Sequence, residues 1–169
     1  MTVIQLLFPV GSLAYLEISF RLMLAAGLAA LLVSGLDSKD RLTYLKAYML
    51  VALAAAVFTV LTLAMLEAAG SRFHINADPT RIIAAVTASI ALIAAGTIFQ
   101  GRDKTRERVT AGARMWMAGA LGVTTGAGYC GLAVMAALLS LVILITLSRL
   151  EPPPHFTLID ESEEAGDNG

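Results

Sequence analysis

Few residues in this chain could do chemistry, and most of them stand at the ends of long apolar runs. Glu17 and Arg21 lie four apart with the acid on the N-terminal side, the favourable order for an ion pair along one helix face. Counting back from Ser34 puts Glu17 near a membrane face and Arg21 about 10 Å below it. An arginine at that depth is costly unless paired or snorkelling, so the two read either as a structural pair or as a contact to a ligand or partner. His74, Asn76 and Asp78 alternate on one short segment. Three such groups with no second cluster elsewhere read as a solvated turn, and no metal site is expected. The apolar runs hold no Ser/His, Cys/His or paired-carboxylate arrangement, and His74 and His155 lie outside them. An enzyme is therefore not expected, nor is a cofactor. The single cysteine, Cys130, sits in an apolar run and reads as a small buried hydrophobe.

The elements that must position these residues follow from composition. Of 169 residues, 57% are hydrophobic and only 15% charged, with mean hydropathy +0.76. That balance is far from a soluble domain and indicates a membrane protein. Charged segments cut the chain into four long apolar blocks, and the last is long enough to fold back once at Gly126, Ala127 and Gly128. The expectation is an all-α integral membrane bundle of about five transmembrane helices, near 13–34, 45–66, 78–99, 110–123 and 129–148. Residues 1–150 form the membrane domain, and 151–169, acidic after three prolines, a disordered tail. The N-terminus lacks the basic region of a cleaved secretory signal and is expected to remain.

Two small-residue patterns bear on packing. Asp78 and Pro79 suit a helix start as cap and first residue. In the helix that follows, Ala84, Ala88, Ala91 and Ala95 share a stripe opposite Ile83, Val86, Ile90 and Ile93, and it ends at Gly96. In lipid, helices associate through close backbone contact, so the alanine stripe is expected to meet protein. Ala118, Gly122 and Gly126 repeat at four-residue spacing with the same implication. Tyr44 and Tyr48, flanking the start of the second helix, suit a headgroup belt.

Five helices put the termini on opposite sides. Lys39, Arg41, Lys46, the basic residues from Arg102 to Arg114, and Arg149 then share one side, against Arg72 and Arg81 on the other. The positive-inside rule makes the N-terminus external and the C-terminus cytoplasmic. The expected surroundings are the lipid bilayer and a membrane-protein partner or a second copy of the chain, not nucleic acid.

The segment DPTRIIAAVTASIALIAAGTIF resembles the DP-x-R entry and GAG-x-I type ending of a helix in the MgtC/SapB family of bacterial inner-membrane proteins, with Ala95, Gly96, Thr97 and Ile98 at the ending. RVTAGARMWMAGALGVTTGAG is similar to that family's GLTTAA-x-LW segment and its continuation, matching at Thr110, Ala113, Trp116, Gly122, Gly126 and Gly128. LKAYMLVALAAAVF resembles the LRT-x-x-LV-x-x-GAA-x-F segment, and Asp37 sits at the acid of G-x-E. Lys46 stands for the family's arginine, Ala85 for its glutamine, and Ser89, Ala91 and Ala94 for glycines. The acidic tail stands where longer members carry a soluble domain. The resemblance implies a role in adaptation to low magnesium or survival in a host, in some members by binding and restraining the membrane ATP synthase.

Glu17, Arg21, Asp37, Lys46, Asp78, Arg81, Thr110, Arg114 and Trp116 are accordingly the candidate contacts to a partner or ion. The alternative is a small oligomeric transporter or channel for magnesium. Such a path calls for carboxylates within the membrane, and Glu17 is the acid that falls within a span.

Overall fold

The computed structural model describes residues 12–33, 41–73, 80–99 and 105–150. They form five helices and no strand: α1 (Ser12–Leu31), α2 (Arg41–Phe73), α3 (Thr80–Phe99), α4 (Thr105–Gly126) and α5 (Cys130–Leu150). The apolar runs forecast all five, but two bounds differ. α4 is not short: it starts within the basic stretch and runs 22 residues. α2 extends to Phe73 and takes in residues expected to be loop. In both cases the helix continues into a charged segment, because the polar ends can project beyond the hydrocarbon layer without giving up backbone hydrogen bonds.

α4 is the hub. It packs against each of the other four helices, whereas α3 touches only α4 and, slightly, α2. The reason lies in its small residues. Gly122 and Gly126 face α2 so closely that a Cβ on Gly126 would lie 2.7 Å from the carbonyl oxygen of Ala56, and one on Gly122 would run into the carbonyl of Ala52. On another face Gly119 receives the end of the Ile90 side chain from α3. The remaining core gathers Leu28 and Ala29 of α1, Leu32 just beyond it, Ala52 of α2, Ala118 and Leu121 of α4 and Ala133 of α5. α3 contributes nothing to that cluster and stands at the periphery.

A three-residue turn joins α4 to α5. Tyr129 N–H donates to Thr124 O and Gly128 N–H to Thr125 O, both at 3.0 Å, the paired 6→1 and 5→2 bonds of a Schellman ending. Gly128 supplies the left-handed residue the motif requires, at φ 91°. Tyr129 then accepts from Ala133 N–H, so the next helix begins at once.

The outside of the bundle is apolar. Phe20, Met23, Phe58, Leu92, Met135 and Leu139 are all exposed. The stretches Arg41–Glu67 and Cys130–Leu147 are each long and apolar enough to cross a membrane, and only 22% and 11% of their most apolar 18-residue segments are buried by the rest of the chain. The core helix of a soluble protein would be mostly covered, so these two need lipid. Ser and Thr hydroxyls on the helices are satisfied without water: Thr59, Ser89, Thr125 and Ser140 each donate to the carbonyl four residues back.

Candidate functional site

The unusual polar group of this bundle is Arg114. It sits two turns into α4, on the face turned toward the start of α2 and the ends of α1 and α5. It is 9% exposed, and its Nε and Nη1 atoms are buried without a hydrogen-bond partner. Leaving a buried guanidinium unpaired costs several kcal/mol, on the order of what breaking a buried ion pair costs. Beside it is Tyr48. The sequence suggested a headgroup-belt position for this ring, but it is fully buried, and its hydroxyl donates to Ala111 O at 3.2 Å. A phenol that reaches a backbone carbonyl on the central helix is anchored in protein, which is why it does not sit at the lipid surface. Tyr44 packs on it, ring centroids 6.1 Å apart.

Arg114 borders a cavity of about 160 Å³ whose walls include Leu32, Met117, Ser140, Ile143 and Leu144. Those walls come from α1, α4 and α5. The side chain is therefore held by four helices at one end of the bundle, the end that also carries Arg41, Lys46, Arg108 and Arg149. The carboxylates whose side chains the structure describes are Glu17 and Glu67. Glu67 is about 28 Å along α2 from Tyr48 at 1.5 Å per residue, and Glu17 belongs to the opposite end.

At that opposite end Arg21 is answered. It forms an ion pair with Glu17, as the i,i+4 spacing suggested, and it does a second thing that spacing could not reveal. Its guanidinium lies against Gly128, where an added Cβ would fall 3.1 Å from Nη1. A cation is thereby placed at the C-terminal end of α4, where the helix dipole favours it.

Of the other candidate contacts, Thr110, exposed on α4, borders the cavity beside Arg114, whereas Lys46 and Arg81 are exposed on separate helices. Trp116, 47% exposed, borders a second cavity of about 250 Å³ between α3 and α4, with Thr87, Ile90 and Gly119. Asp37 and Asp78 lie outside the described residues, as do His74 and the acidic tail. Cys130 is half-buried as the first residue of α5.

The expected packing residues divide by helix. Ala118, Gly122 and Gly126 are buried and make the α2–α4 contact. The stripe on α3 does the reverse within this chain: Ala84, Ala88 and Ala91 are exposed and Ala95 half-buried, and a Cβ on Gly96 would meet nothing within 4 Å. Within this chain no neighbouring helix covers the stripe. Among the described side chains of α3, Ile90 and Ala94 are the buried ones, because the glycine face it meets belongs to α4 and accepts a large side chain.

The sequence pattern of the MgtC family matches residues 10–152. The chain belongs to the MgtC family. Among MgtC-family relatives, SrpB of Synechococcus elongatus is 31% identical over 144 residues, covering 81% of this chain and 78% of SrpB. An Escherichia coli K12 protein named "Putative magnesium transporter YhiD" is 25% identical over 134 residues, covering 79% of this chain. A Haemophilus influenzae protein is 27% identical over 139 residues. The chain spans 62% of the length of YhiD and 57% of the Haemophilus protein. No solved structure matches it.

Proposed function

We propose that this protein is a multi-pass inner-membrane member of the MgtC family that binds another membrane complex and changes its activity, in a role tied to magnesium homeostasis or to life at low magnesium. The observation that carries this reading is the uncovered small-residue face of α3, with Ala84, Ala88 and Ala91 exposed on a helix that packs mainly on α4. In a bilayer such a face lets a second backbone approach closely, which large lipid-facing side chains do not. The protein acts by binding and not by catalysis. The membrane ATP synthase is the candidate complex, by family resemblance; a second copy of the chain is the other occupant of that face. The basic end faces the cytoplasm, with the N-terminus outside and the C-terminus inside, as the positive-inside rule directs.

The test is copurification from gently solubilised membranes, comparing wild type with the double variant Ala88→Leu, Ala91→Leu. Both positions are exposed, so the variant is expected to fold and to lose its stoichiometric partner. A wild-type protein that brings down no partner would count against the reading. Physiology is tested by growing a deletion strain in limiting magnesium with rescue by wild type and by Arg81→Ala; normal growth of the deletion strain detaches the chain from magnesium.

The second reading, a small oligomeric magnesium transporter, draws on the name of the relative YhiD. Magnesium flux into proteoliposomes that Glu17→Gln abolishes would favour it over the first.

A further inference from the structure

We propose that Arg114 and the cavity beside it form a binding site for a phosphate group, delivered by a membrane phospholipid. Arg114 is about nine-tenths buried, its Nε and Nη1 atoms are buried with no acceptor, and no carboxylate with a described side chain lies at its end of the bundle. A buried cation in that condition requires an anion from outside the described chain. The adjoining cavity supplies room, with the hydroxyls of Thr110 and Ser140 among its walls; the Ser140 O–H donates to Ala136 O at 2.7 Å, so the guanidinium is the cationic donor that a phosphate meets there.

Two features select the ligand's chemistry. The first is depth. Arg114 lies six residues beyond Arg108 on α4, about 9 Å, which matches the junction between headgroups and acyl chains. The second is the lining. Leu32, Met117, Ile143 and Leu144 make most of the walls, and the outer face of α5 beside them, with Leu139 and Val142, is exposed and apolar. Walls this largely apolar offer a free phosphate little beyond the guanidinium, whereas a lipid covers them with its own chain while its phosphate meets the guanidinium. Arginine suits the task because it stays charged when desolvated.

The experiment uses the full chain in detergent, stripped of lipid, and reads bound ligand by native mass spectrometry. Phosphatidylglycerol is titrated in one arm and inorganic phosphate alone in the other. Wild type is expected to retain one phosphatidylglycerol per chain. Arg114→Met is expected to weaken it about tenfold or more, the loss of a charge-assisted bond, with Arg114→Lys between the two. Ser140→Leu, which fills the cavity without touching Arg114, is expected to weaken it as well. Arg114-dependent saturation by inorganic phosphate alone assigns the same site to the free anion. Phosphatidylglycerol retention unchanged in folded Arg114→Met overturns the proposal. A thermal midpoint also separates the site from an internal ion pair. Stripped Arg114→Met should unfold at or above the wild-type temperature, since it removes an unpaired buried charge; a lower midpoint means that a carboxylate of this chain already pairs with Arg114, and overturns the proposal too.

Discussion

Three residues have opposite relations to their surroundings, and each makes a separate prediction. Tyr48 is buried and bonded to Ala111 O, so Tyr48→Phe should lower stability by about 1 kcal/mol, the net worth of one such hydrogen bond. Chemical unfolding of the detergent-solubilised protein measures it. Arg21 is tied to an exposed Glu17, so Glu17→Gln should cost under about 1 kcal/mol, and the loss should shrink further in high salt. A large effect there would mean that the pair does more than hold α1 against the α4–α5 turn. Arg114 differs from both in having no described counter-charge, which is why its replacement by Met is expected not to harm the fold. Sequence reasoning singled out Arg114 as a helix-start contact, and missed its burial. A charge at the border of an apolar run looks the same whether it points to water or inward, and only the four-helix surroundings decide.

At the scale of elements, the glycines of α4 and the alanines of α3 were equally visible as small-residue stripes, yet only the first are covered. Periodicity identifies a face and says nothing about which neighbour reaches it. Here the answer depends on order in space: α4 is central and α3 is peripheral. All five helices were legible from apolar runs and their breaks, and so was the turn at residues 126–128, since Gly128 stands where a left-handed residue is needed. The helix ends were less legible because α2 and α4 continue into charged segments. The contrast between the stripes can be measured. Gly122→Ala pushes a methyl into the backbone of α2 and should cost about 1–3 kcal/mol, as overpacking does. Gly96→Ala meets open space and should be neutral or stabilising by up to about 1 kcal/mol, the helix-propensity difference. Thermal midpoints of the two variants, measured side by side, check both.

For the whole molecule the open quantity is its disposition in the bilayer. The ends of α1 and α5 and the starts of α2 and α4 share the basic end, and the start of α3 with Arg81 lies at the other. In a Cys130→Ser background, a cysteine at Arg41 should react with an impermeant maleimide only after the cytoplasmic face is opened, and one at Arg81 should react from outside. The reverse pattern would invert the orientation.

The three-residue turn between α4 and α5 bears on how the chain is made. α5 has the length and apolarity to enter a membrane by itself, while α4, with its glycines and charged first turns, is not among the helices that pass that test. Joined through residues 127–129, the two cannot separate by more than about 14 Å at that end. In a five-span arrangement α4 therefore crosses as the passenger arm of a hairpin whose inserting arm is synthesised after it. Stopping synthesis at Gly128 should leave α4 unprotected from protease, and restoring α5 should protect both. The central helix of the folded protein would then be the one least able to enter the bilayer unaided.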